Sequence, residues 1–159
     1  MADSEQKIFH CDLIDPTGKL LDCETTSVVL PAHDGQRGIL YDHMPMLCQL
    51  GLGVMKVTVV SAGEHEEGAP AREGAAGPTD VMFFIDGGFA LVAANSVMVV
   101  AREALALREV KPERIQSLIE KTGKNLETPT LSVSQRAHES ERLRALQRLA
   151  ETGEPLTQG

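Results

Sequence analysis

At 159 residues and 17.1 kDa the chain has room for one domain and an appendage. Its residues are 42% hydrophobic but only 3% aromatic, with no Trp and one Tyr, so the core must come from Val, Leu, Ile, Met and Ala, and stacking platforms for single-stranded nucleic acid are excluded. A net charge of −8 excludes the basic face that nucleic acid demands, and excludes binding to acidic lipid by charge alone.

Residues 8–15, IFHCDLID, alternate with Phe9, Cys11 and Leu13 on one face, the pattern of a half-buried strand. DPTG at 15–18 has the Pro and Gly of a turn, KLLDC returns as a second strand, and β-branched TTSVVLPA at 25–32 reads as a third. DGQRGILYDHMPML at 34–47 reads as a glycine-flanked turn followed by a histidine and a proline. LCQLGLGVMKVTVV at 47–60 reads as strand, glycine punctuation, strand. Residues 61–80, rich in Gly, Ala and Glu, cannot form a core and are expected as an exposed loop. VMFFID (81–86), the hairpin signal Asp86-Gly87-Gly88, FALVAA (89–94), a turn at Asn95-Ser96 and VMVVA (97–101) complete a run of short strands. Many short strands with no helix between them predict an antiparallel sandwich or barrel.

Beyond Arg102 the period changes. Pro112 suits a first helical turn, Ile115, Leu118 and Ile119 form a stripe, and Gly123 is the expected C-cap. Thr128-Pro129-Thr130 breaks the chain, and Ser134 is the expected N-cap of a second helix running to about Ala150. Leu143, Leu146, Leu149 and Ala150 give that helix an apolar side, decorated by Arg142, Arg144 and Arg148, and the tail is expected to fray. Charge follows the same division: residues 1–110 carry 7 Lys/Arg against 16 Asp/Glu, residues 111–159 carry 8 against 7.

Chemistry-bearing clusters are sparse. His33, Asp34, Asp42 and His43 are types that bind zinc or move protons, but their spacing fits no metal or acid–base motif and satisfying a sharp turn explains them. Cys11, Cys23 and Cys48 lack metal-ligand spacing and are expected as buried free thiols in a reducing, cytoplasmic setting. GLG (51–53) and DGG (86–88) open no helix, so turn formation rather than phosphate binding accounts for them. With its polar N-terminus the chain is expected to carry no signal or transit peptide, and no apolar run approaches the ~20 residues of a membrane span.

Two segments in order resemble one family. GQRGILYDHMPML (35–47) is similar to G-x-x-G-I-x-x-x-H-x-P-L-L, and FIDGGFALVAANSVMVVA (84–101) to a glycine-pair strand segment, of the epsilon subunit of F-type ATP synthases, called delta in mitochondria. The resemblance implies a mainly β protein with an α tail: a flattened antiparallel β-sandwich of about ten strands, then a C-terminal helical hairpin. It implies a sandwich docking domain over 1–104 and a two-helix regulatory domain over 105–159. It also implies a rotor subunit of the central stalk, not itself an enzyme, that couples proton or sodium flow through the c ring to ATP synthesis. The implied partners are the gamma subunit, the c ring and, when the helices extend to block ATP hydrolysis, the alpha and beta subunits. Membrane association is then indirect, on the cytoplasmic side of a bacterial inner membrane.

Carried over by position, Asp34, Gly35, Gln36 and Arg37 become a loop facing the c ring, shaped by Gly38, His43 and Pro45. Gln36 stands where some relatives are acidic, and Arg37 where an apolar residue is common. On the second helix, Arg136, Arg142, Arg144 and Arg148 are the regulatory candidates. The acidic residue that accompanies ATP binding in some bacterial members would fall at Val133 or Ser134, neither of which is acidic, so no cofactor and at most weak ATP binding are expected. The competing reading is a stand-alone ligand-binding β-sandwich with a helical lid.

Overall fold

A computed structural model describes residues 7–62, 77–108 and 110–152. Seven strands precede two helices: β1 (Phe9–Asp15), β2 (Gly18–Ala32), β3 (Gly35–Leu40), β4 (Met46–Ala62), β5 (Thr79–Ala93), β6 (Ser96–Ala101), β7 (Ala104–Ala106), α1 (Pro112–Leu126) and α2 (Val133–Thr152). The sheet order is β1-β6-β5-β4-β2-β3, with β7 on β5, and an additional β1–β2 pairing closes the sheet on itself. Neighbours are antiparallel except β1 and β6, which run parallel.

Three strands are much longer than the sequence suggests, and each changes its inward face at mid-length. In β2, Leu21, Cys23 and Thr25 point inward, then Val28 and Leu30. In β4 the inward series Met46, Cys48, Leu50 gives way to Met55 and Val57. In β5 it passes from Phe83 and Ile85 to Ala90 and Val92. Because side chains alternate with period two, each switch marks a bend that carries the strand from one layer to the other. Counted as halves, these strands give two layers of five segments and account for the expected ten. Between them lies the main core, which includes fully buried Leu13, Leu21, Leu30, Ile39, Met55 and Ile85, each worth roughly 1.5–3 kcal/mol of burial.

The bends correct the expected breaks. KLLDC and TTSVVLPA are one strand with an irregular register against β4 at Thr25 and Ser27, where the Thr25 hydroxyl donates to the Thr58 carbonyl at 2.7 Å. GLG interrupts nothing: Gly53 is buried against Pro31, whose Cβ would lie 2.8 Å from a Cβ at Gly53, so it allows a close strand crossing. Asp86-Gly87-Gly88 is not a hairpin. β5 runs through it in unbroken register with β4, and Gly87 (φ +68°) and Gly88 (φ +124°) supply the bend.

The glycine-flanked turn is a hairpin instead. His33 and Asp34 make the turn, and 35–40 return as β3 along the outer edge of β2. The expected loop over 61–80 is shorter, since β4 extends to Ala62 and β5 starts at Thr79; residues 63–76 of it lie outside the described residues, as does the expected fraying of 153–159.

α1 starts at Pro112 as expected but runs through Gly123 to Leu126, because Gly123 holds ordinary helical backbone rather than the left-handed cap. α2 is capped by Ser132, not Ser134. The Ser132 hydroxyl accepts from the Gln135 N–H at 3.2 Å, and the Gln135 side chain accepts from the Ser132 N–H at 2.9 Å, a capping box. The helices pair and lie on the outer face of one layer, where Leu146 and Ala145 close over Phe84 and Leu105, with Leu52, Leu118 and Ile119 around them. β7 straddles the expected 104/105 boundary, and Leu105 belongs to this second cluster.

A Cβ on Gly88 would stand 2.2 Å from the Val100 carbonyl oxygen and 2.8 Å from the Ala101 Cα, whereas one on Gly38 meets nothing within 4 Å. Gly88→Ala is therefore expected to cost about 2–4 kcal/mol and Gly38→Ala to change stability by less than about 1 kcal/mol, read from urea unfolding midpoints.

Candidate functional site

Among the described residues, one outer face of the sandwich away from the helices carries a cluster of exposed apolar side chains. Leu47, Leu91 and Met98 form one cross-strand row over β4, β5 and β6, and Phe89 and Val100 sit side by side in the next. All five are outward-facing and between 42% and 70% exposed. Isolated exposed leucines are ordinary, but five large apolar residues side by side on a flat sheet mark a surface that another protein covers. The sequence carried the signal: FALV and VMVV are apolar at consecutive positions, the pattern of strands buried on both faces.

The rows continue into β1 and change character. Met98 pairs with Asp12, and Asp12 with Asp22 on β2. Two carboxylates directly opposite would repel, and Lys19 resolves this with its ammonium 2.7 Å from Asp12 and 2.9 Å from Asp22. The hydrogen bonds to Asp12 and Asp22 raise the Lys19 pKa above its ordinary value. His10, with Nε2 3.1 Å from Asp12, completes a trio that among the described residues has metal-ligand proximity, but the Lys19 ammonium supplies the cation there.

The expected c-ring loop is the tip of the β2–β3 hairpin. Asp34 is in the turn, Gly35 begins β3 with φ +130°, and Gln36 and Arg37 follow on the exposed edge strand. Arg37 donates to Asp34 at 2.6 Å. The tip leans on the start of β4, with the His33 N–H bonded to the Gln49 carbonyl at 2.9 Å, leaving a groove of about 470 Å3 between Asp34, Arg37, Leu47 and Gln49. Gly35 takes the positive φ that favours glycine in a tight turn; Gly38 does not, since it lies within β3 opposite Val29. His43 and exposed Pro45 lie at the far end of β3, where His43 Nδ1 bonds the Met44 carbonyl at 2.8 Å and the Asp42 N–H bonds the Asn95 side chain at 2.7 Å. A full strand thus separates His33 and Asp34 from Asp42 and His43.

The arginines of α2 divide by task. Arg136 donates to the carbonyl of Leu126 at 2.9 Å and closes the end of α1. Arg142 reaches the sandwich, while Arg144 and Arg148 are exposed. Asp86, at the β5 bend, is fully buried and receives Arg142, Arg102 at 2.6 Å and the His138 ring at 2.9 Å; Arg142 also contacts Glu103 at 2.7 Å. Sequence reading missed Asp86 because DGG reads as a turn and turn aspartates are ordinarily solvated. Among the thiols, Cys11 and Cys23 are buried and face each other across β1 and β2, while Cys48 is only half-buried, a partial departure from expectation. The hydrogen bond with Cys23, together with burial, pushes the Cys11 thiol well above its ordinary pKa.

The family described as ATP synthase, Delta/Epsilon chain, beta-sandwich domain matches residues 8–107, well over half the chain. An ATP synthase epsilon chain of Jannaschia sp. (strain CCS1) is 33% identical over 68% of this chain and 69% of its own length. A mitochondrial ATP synthase subunit delta of Kluyveromyces lactis is 34% identical over 77% of this chain and 67% of its own. A chain in the Euglena gracilis mitochondrial ATP synthase structure, which comprises OSCP, F1 and c-ring, shares the fold at TM-score 0.62 and 19% identity, covering 97% of this chain and 87% of that one.

The hydrogen bond and charge of Arg37 hold the Asp34 carboxyl below its ordinary pKa. A lowered carboxyl contributes to folded-state stability above the unfolded value and loses that contribution as pH falls through its own lowered value. Both groups are exposed, so the readout is the titration itself. In Arg37→Gln the Asp34 midpoint is expected to move back up toward the ordinary carboxylate range, as followed by side-chain NMR.

Proposed function

The chain belongs to the ATP synthase delta/epsilon family, and from that membership we propose that it is the non-catalytic central-stalk subunit that joins the gamma subunit to the c ring of an F-type ATP synthase. The observation that carries this reading is the uncovered apolar row Leu47–Leu91–Met98 with Phe89 and Val100 beside it. That face takes the gamma subunit, because obligate stalk contacts need a flat, desolvated apolar centre with polar residues at the rim. The acidic β1–β2 side, with Asp12, Asp22 and Glu24, forms one rim.

The hairpin tip of Asp34, Gly35, Gln36 and Arg37 is the c-ring contact, with Gly38, His43 and Pro45 fixing the strand and turn behind it. An exposed Asp34–Arg37 pair makes that contact polar. Residues 1–104 are the docking unit and 105–159 a regulatory arm that slows ATP hydrolysis when it extends toward the alpha and beta subunits. Among the described residues no helix is long and apolar enough to cross a membrane, and the chain joins a membrane-associated complex through its partners. Its place is the cytoplasmic side of a bacterial inner membrane, where rotation couples ion flow to ATP synthesis. The stand-alone ligand-binding reading is not favoured: its lid cleft, about 610 Å3 between hairpin and sandwich, is lined by mutually paired charges rather than an apolar pocket.

Leu91→Glu places a charge at the centre of the proposed interface on an exposed position, so the free chain still folds. Its binding to the cognate gamma subunit is expected to weaken at least about thirtyfold, roughly 2 kcal/mol. Val133→Glu, on a position 89% exposed at the start of α2, is expected to bind as the parent does. Co-elution and titration calorimetry read both. Undiminished binding by Leu91→Glu removes this face from the reading.

A further inference from the structure

We infer that Asp86 is an ion-pair latch that fixes the helical hairpin on the sandwich. Its carboxylate is completely shielded from solvent, and two of its three ion-pair partners come from the hairpin. Arg142 and His138 reach it from α2, one helical turn apart on the same side of the helix. Arg102 reaches it from the link between β6 and β7, its guanidinium lying over Gly87. Glu103 takes the second Arg142 nitrogen, so the guanidinium bridges two carboxylates. Burial pulls the Arg142 pKa down, but Glu103 and Asp86 outweigh it and hold the guanidinium above its ordinary value. Glu139 lines the same cleft and completes the set of charged groups around Asp86.

The geometry tolerates either state of His138. Its Nε2 lies 2.9 Å from Asp86 and 2.7 Å from Arg102. A proton on Nε2 is donated to the carboxylate; without one, the nitrogen accepts from the Arg102 guanidinium. The two guanidinium contacts do not depend on that proton, so Arg142 is the member from α2 that the latch cannot lose. Among the described residues, the apolar cluster beneath the helices has four buried members, Phe84, Leu105, Ala145 and Leu146, with partly buried residues packed around them. Apolar contact is non-directional; the bridging Arg142 gives α2 one seat.

The test is hydrogen–deuterium exchange of the full chain, comparing the parent with Arg142→Gln, Asp86→Asn, the double variant and Arg144→Gln. The latch predicts at least tenfold faster exchange in 112–152 and 104–107 for Arg142→Gln, with β1, β2 and β6 unchanged. The double variant should release the hairpin no further than Arg142→Gln alone, because both remove the same contact. Arg144→Gln, on an exposed position of the same helix, should exchange as the parent does. Exchange of 112–152 within twofold of the parent in Arg142→Gln overturns the inference, and so does equal release by Arg144→Gln. Asp86→Asn changes a buried residue at the β5 bend; if it unfolds the sandwich, Arg142→Gln and Arg144→Gln still decide.

Discussion

The structure depends on one constraint: β4 and β5, hydrogen-bonded along their whole length, must both change their inward face at the same place. A strand in a flat sheet cannot do this, because its alternation is fixed by the pleat. The pair does it without losing register, with Leu50 opposite Gly88 and Leu52 opposite Asp86 on either side of the switch. Gly53 tolerates the crossing of Pro31, and Gly88 tolerates the Val100 carbonyl. From that bend follow the closed sheet, the two layers, and the division of apolar side chains into three sets. One set fills the core, one lies under the helices, and one remains outside.

The three sets also explain what was legible in the sequence. Strand existence was readable nearly everywhere, because alternation such as Phe9, Cys11, Leu13 survives in a half-buried strand. Strand continuity was not. Glycines within β4 and β5 carry the same letters whether they end a strand or bend it, and the deciding quantity is what lies across from them in space. The edge strand β3 was hidden by its own composition: Gly35, Gln36, Arg37 and Gly38 have low strand propensity and are held by pairing to β2. In α2 the competing caps Ser132 and Ser134 differ only by the Gln135 that reaches back to the first, a three-residue spacing readable in advance. The docking face was present as consecutive apolar residues in 89–92 and 97–100. What assigns one side of that run to the core is the layer packing, which local sequence does not contain.

Of the two apolar outer surfaces, one is covered by the described residues and the other is exposed. Phe84 and Leu105 are buried because α2 lies on them, whereas Phe89 and Leu91, a few residues along the same strand β5, stay exposed. The bend at Gly87 and Gly88 separates these two pairs and sends them to opposite outer faces. A single strand therefore serves the helical arm at one end and the proposed gamma surface at the other. Asp86 sits at the junction, so the arm's anchor and the docking layer share one rigid piece of backbone.

Polarity decides how that anchor behaves. Burying a carboxylate costs on the order of several kcal/mol unless partners replace its water, and here every replacing group is a cation or faces one. With α2 in place, Asp86 trades hydration for Arg142, Arg102 and His138. With α2 gone, water returns to Asp86 while Arg102, already 61% exposed, stays beside it. The lost ion pairs are thus repaid in part by solvation, and opening also exposes Phe84, Leu105 and Leu146. An all-apolar seat of the same area would hold more tightly and less selectively. A seat that pairs a small apolar cluster with a rehydratable carboxylate holds the arm in one register and still lets it leave.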